Sequence, residues 1–97
     1  MTPDECRDMA EIRAEIDNLD RQVISLLGRR FEYVKAAAKF KTSEESVRAP
    51  ERFSSMLESR RAWAEESGLN PDVIEAMYRE LVGYFVREEL ERWKHEA

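Results

Sequence analysis

Apolar residues recur at helical spacing from about Asp8 to Phe40. Ile12, Ile16, Leu19, Val23, Leu26, Val34 and Ala37 fall in one narrow stripe when successive residues are turned by about 100°. The pattern predicts one long amphipathic helix. Gly28 is its only interruption; a glycine there costs about 1 kcal/mol against alanine and permits close helix contact. Thr2-Pro3-Asp4-Glu5 carries a helix-start signature, with a hydroxyl cap, proline at the first position and a carboxylate three residues after the cap. Thr42 to Ala49 is short and polar and reads as a loop. Pro50 opens a second helix with Phe53, Met56, Leu57, Arg60, Trp63 and Ala64 at helical spacing, and Ser67-Gly68 closes it, Gly68 as a left-handed cap. Asn70-Pro71 opens a third helix running to about Lys94. No period-two pattern and no internal repeat occurs. The expectation is a single all-α domain over residues 1–97, a three-helix chain with a long first helix. Met56, Trp63, Met77, Tyr84 and Phe85 are expected in its core.

Composition narrows the class. At 97 residues the chain lies near the low end of the size at which one core suffices. Charged residues at 38% and hydrophobic ones at 42% suit an amphipathic helical protein rather than a disordered one. The net charge of −5 argues against a nucleic-acid binder and leaves any attraction for an anion to local groups. Cys6 stands alone, so no intrachain disulfide is possible and a reducing, cytoplasmic setting is expected. One cysteine and His95 do not make a zinc site of the usual kind, and no metal is expected. No apolar run approaches membrane-spanning length, so no membrane partner is expected.

The stripe also poses a problem. Arg30 and Lys41 fall inside it, where a cation is costly unless something anionic meets it, while Arg29, Lys35 and Lys39 point away. The simplest reading is a pocket for a small carboxylate-bearing molecule, with Arg13 as a third basic group. Arg13 and Arg30 are about 25 Å apart along one helix, too far to grip one small ligand together. A first helix of about 33 residues spans roughly 50 Å, more than the later helices can cover. Both facts point to a homodimer whose first helices pair antiparallel, so that Arg13 of one chain approaches Arg30 and Lys41 of the other.

Ile12-Arg13-x-x-Ile16-Asp17-x-x-Asp20, Leu27-Gly28-Arg29-Arg30, Val34-Lys35 and Lys41 resemble the all-helical chorismate mutases, intertwined dimers of three-helix chains. Tyr33-Val34-Lys35-Ala36-Ala37, Phe40-Lys41, Ala49-Pro50-Glu51-Arg52 and Arg61-Ala62-Trp63-Ala64-Glu65-Glu66-x-Gly68-Leu69 extend the resemblance to the salicylate-forming isochorismate-pyruvate lyase branch, used in siderophore biosynthesis. The resemblance implies a pericyclic, cofactor-free reaction in which isochorismate loses pyruvate, with weak chorismate mutase side activity. It also implies roles. Arg13 of the partner chain and Arg30 hold the two substrate carboxylates, and Lys41 places its ammonium by the ether oxygen. Glu89 stands where the bacterial mutases and the lyase commonly carry a glutamine that donates a hydrogen bond to that oxygen. A carboxyl donates only when protonated. The fungal mutases use a glutamate there, and among Val82, Phe85 and Trp93 its pKa should be raised, giving an acid-shifted profile.

Two further positions separate the reactions. Ala49 and Phe53 stand where the bacterial mutases supply an aspartate and a glutamate, the latter for the ring hydroxyl of chorismate. Neither side chain here accepts a hydrogen bond, which tilts the reading to the lyase. The alternatives are a chorismate mutase, a mutase acting on an amino analogue of chorismate, and a non-catalytic helical dimer. In the last, Arg30 pairs with an internal acid such as Glu32 or Glu88, and Lys41 merely complements a helix end. Glu88 adjoins Glu89, and a small rotation of the third helix exchanges them. Arg52 either adds potential to the pocket or braces the loop.

Overall fold

Pro50 and Pro71 each open a helix, and the left-handed Ala49 and Gly68 end the helices before them, in the computed structural model, which describes residues 1–96. Four α-helices follow in order: α1 (Met9–Ala37), α2 (Glu44–Arg48), α3 (Pro50–Glu66) and α4 (Pro71–Glu96). No strand occurs among the described residues. The all-helical expectation holds, with one helix more than the three predicted. Packing divides the chain into two compact units, Met1–Tyr33 and the remainder from Val34 onward, the division falling inside α1 rather than in a linker.

In the first unit the start signal at Thr2 yields only a single 3-10 turn, Pro3–Glu5, in which the Thr2 backbone N–H donates to Glu5 Oε1 at 2.9 Å. The true start lies six residues later. Asp8 Oδ1 accepts from the Glu11 N–H at 2.9 Å, and the Glu11 carboxylate reaches back to the Arg7 N–H at 2.8 Å and to its guanidinium. These bonds satisfy backbone donors that the first turn of a helix leaves open. No residue of α1 is buried in the single chain: Ile16, Leu19, Val23 and Leu26 are each more than half exposed or at half.

In the second unit α4 is the common partner, packing against α3, α2 and the 3-10 turn Ala38–Phe40. Ala38, Val47, Met56, Leu57, Ala64, Phe85 and Leu90 form the core. Met56 and Phe85 are thus buried as expected, whereas Trp63, Met77 and Tyr84 are exposed in the single chain. Trp63 instead lies against Arg60, whose guanidinium sits 4.6 Å from its ring centroid and 5.7 Å from that of Tyr78. Arg61 ties α3 to α4 through Asp72 and Glu75, at 2.9 and 3.1 Å. Asn70 Oδ1 caps α4 by accepting from the Asp72 N–H, and Gly68 at φ 75° ends α3 as predicted.

The segment 42–49, expected as a loop, is mostly the helix α2. Ser43 Oγ accepts from the Ser46 N–H at 3.1 Å and Ser46 Oγ accepts from the Ser43 N–H at the same distance, a reciprocal cap that five residues are too few to advertise by periodicity. Ala49 then turns the chain at φ 42°, ψ 62°, ending α2 and admitting Pro50 as the first residue of α3. A left-handed alanine carries a steric penalty that glycine lacks, partly offset by glycine's looser unfolded chain. Ala49→Gly is therefore expected to stabilise the fold by about 0.5 kcal/mol, read as an upward shift in thermal melting.

No described helix is long and apolar enough to cross a membrane.

Candidate active site

The first helix ends earlier than its apolar stripe predicted, and this relocates Lys41. After Ala37 the backbone tightens into the 3-10 turn, and Lys41 follows it in an extended conformation at φ −90°, ψ 139°. Lys41 is therefore not on the α1 stripe. It occupies the short step between that turn and α2, held on both sides. Its N–H donates to the Ala38 carbonyl at 3.2 Å, and its own carbonyl accepts from Trp93 Nε1 on α4 at 3.0 Å. Its half-buried side chain reaches forward, where Nζ donates to the Ser46 carbonyl at 2.9 Å. The helix-end role considered from sequence is thus partly real, since that carbonyl belongs to α2.

Glu89 faces Lys41 from α4. It is 6% exposed and is the buried charged residue among those described, while Glu88 beside it is exposed. Of the two adjacent glutamates, Glu89 is the one turned inward. Its Oε2 is buried with no hydrogen-bond partner in the single chain. Burial pushes its carboxyl above the usual carboxylate range, and the Lys41 charge pulls it partly back. A buried polar atom left unpaired is unusual in a folded protein, and beside an ammonium it is the arrangement expected of a group that meets a ligand oxygen.

Arg13 and Arg30 belong to the other unit, on α1, Arg13 exposed and Arg30 half-buried. One continuous helix carries both, 17 positions apart, so a single chain does not bring them together. Phe53 is half-buried beneath the Arg79 guanidinium, 5.6 Å from its ring centroid, and Ala49 occupies the left-handed step. Neither presents a side-chain acceptor. Arg52, next to Phe53, is exposed on α3.

Two residues that the sequence reading did not use as site residues emerge here. Ser46 supplies the carbonyl that holds the Lys41 ammonium, and the spacing Ser43-x-x-Ser46 was its available signal. Trp93 supplies the indole N–H, and its spacing of one helical turn from Glu89 places both on one face.

The chorismate mutase type II family profile matches residues 12–90, a stretch that contains Arg13, Arg30, Lys41 and Glu89 and stops short of Trp93. The chain is 41% identical over 93 residues to an isochorismate pyruvate lyase of Pseudomonas aeruginosa, covering 96% of this chain and 92% of that protein. It is 40% identical over 72 residues to a T-protein of Haemophilus influenzae and 36% identical over 76 residues to a T-protein of Enterobacter agglomerans. Those stretches take in 73% and 77% of this chain but only 19% and 20% of the T-proteins. A profile match across most of the chain and a relative similar nearly end to end establish that the chain belongs to the chorismate mutase type II family.

Proposed function

We propose that the chain is an isochorismate-pyruvate lyase, forming salicylate and pyruvate without a cofactor, in the cytoplasm, as a homodimer with two composite sites. The observation that carries an active site is the buried Glu89 carboxyl, whose Oε2 has no hydrogen-bond partner, within the field of the Lys41 ammonium. In the reaction the ether carbon–oxygen bond breaks as a ring hydrogen passes to the methylene carbon of the enolpyruvyl group. The protein's work is to fold a flexible dianion and to meet the charge that develops at the ether oxygen. Lys41 supplies a cation there and protonated Glu89 a donor. Arg30 and the partner chain's Arg13 hold the carboxylates.

The choice of lyase over mutase rests on the nearly end-to-end similarity to the Pseudomonas protein and on Ala49 and Phe53, which offer no acceptor for a ring hydroxyl. The family match favours a second reading, chorismate to prephenate.

The test offers isochorismate and chorismate separately at pH 5 and pH 8, following salicylate fluorescence and prephenate. Salicylate forming far faster than prephenate is expected. Prephenate dominating makes the chain a mutase, and turnover of neither leaves the amino analogue or a purely structural dimer. The pH arm reads Glu89. The protonated carboxyl is the donor, so the rate falls as pH rises through its raised pKa. Folding carries the same sign, because a carboxyl raised above its unfolded value contributes most below that value and loses its contribution as pH rises through the folded one. Glu89→Gln donates at every pH, and is expected to flatten the profile and raise the rate at pH 8 by about tenfold. A parent profile that is already flat between these pH values overturns the donor role.

A further inference from the structure

We propose that Trp93 is a positioning residue for Lys41, acting through the lysine's main-chain carbonyl; this rests on the catalytic role given to Lys41 above. Lys41 lies outside any helix, between a single 3-10 turn and the five-residue α2, so no regular ladder of hydrogen bonds fixes its peptide plane. Two contacts do so instead: the Thr42 N–H of that peptide group donates to Ser46 Oγ at 3.2 Å, and from 52 residues away the Trp93 indole N–H donates to the Lys41 carbonyl at 3.0 Å. The opposite side of the residue is held by the bond from its N–H to Ala38. With both peptide groups fixed, the Cα–Cβ direction is fixed, and a long side chain magnifies any loss of that control at its ammonium. Trp93 is half-buried on a helix whose previous turn carries Glu89. One face of α4 thereby sets both the lysine's backbone and the carboxyl opposite its charge. The ring's bulk serves packing; the N–H serves the lysine.

The experiment is a double-mutant cycle of Trp93→Phe, which keeps an aromatic ring and loses the donor, with Lys41→Ala. Trp93→Phe alone is expected to lower kcat on isochorismate about tenfold, with KM within about twofold. In the Lys41→Ala background it is expected to lower the rate no further, because there is no ammonium left to place. An equal loss in both backgrounds assigns Trp93 to packing and overturns the proposal. A second measurement uses the unmodified protein, where the Trp93 indole N–H signal in a proton–nitrogen spectrum is expected to exchange with solvent far more slowly than that of Trp63. Equal exchange rates overturn the contact itself. If the unmodified chain turns over neither isochorismate nor chorismate, the catalytic reading falls and takes the positioning role with it. If it turns over substrate and the cycle is additive, the Trp93 assignment falls alone.

Discussion

Lys41→Ala is expected to lower turnover about a thousandfold while moving thermal melting by only about 5 °C. The two effects part because the side chain does two different jobs. In the resting fold its ammonium makes one bond, to the Ser46 carbonyl, and the loss of a bond of that kind removes about 1 kcal/mol of stability. In the proposed reaction the same charge meets negative charge that develops only as the ether bond breaks, and a donor so placed acts on the barrier itself. The substitution also removes the charge that holds the Glu89 carboxyl down, so the variant's residual activity should persist to higher pH than the parent's. Lys41→Arg is not expected to restore the rate, because a broad planar fork replaces a compact charge beside the Ser46 carbonyl. A thousandfold loss accompanied by unfolding at room temperature is the outcome that would move Lys41 from chemistry to structure. A loss of less than tenfold would sink its catalytic role.

The second large effect concerns the two arginines. Arg13→Ala and Arg30→Ala are each expected to lower kcat/KM by about a hundredfold or more, since each removes a proposed two-pronged contact to a substrate carboxylate. The informative step is to unfold the two inactive variants together, at equal amounts, and refold them. Random pairing makes half of the dimers mixed, and in each mixed dimer one site draws both arginines from intact chains, so activity should return to about one quarter of the parent's. Arg13 and Arg30 lie on one helix at a separation no small dianion bridges, which makes such complementation the direct consequence of a shared site. Failure to recover any activity would remove Arg13 from the partner's site and with it the composite reading.

Much of this fold was legible because a few residues punctuate it. Pro50, Gly68 and Asn70-Pro71 stand where the structure starts and stops helices, and each does so through its own local chemistry rather than through packing. The failures share a different cause. Thr2 through Glu5 satisfies the local rules of a helix start, yet its turn closes after three residues and α1 starts at Met9, capped by Asp8. The apolar stripe of α1, extended by arithmetic to Lys41, hid the tightening after Ala37, because alanines continue a helical period whether or not the helix continues. α2 was invisible for want of length. Glu89 was legible as a candidate but not as the buried member of its pair, since adjacent glutamates differ only by a rotation that packing decides. Trp63, Met77 and Tyr84 look like core by residue type, and nothing in a single sequence distinguishes an interior site from a surface that stays exposed in one chain.

The grip on Lys41 has a consequence for how this protein can change. Of the two groups that reach it, the Ser46 carbonyl is a main-chain group, which every residue type supplies, and the Trp93 indole N–H is a side-chain donor. Replacing the outward-facing side chains of α2 therefore leaves the lysine's resting place untouched, provided the one-turn helix still forms. Positions such as Glu44, Glu45 and Arg48, all exposed, are free to vary without rebuilding that contact. What resists change is the other contact, because an indole N–H reaching the Lys41 carbonyl is supplied by tryptophan alone.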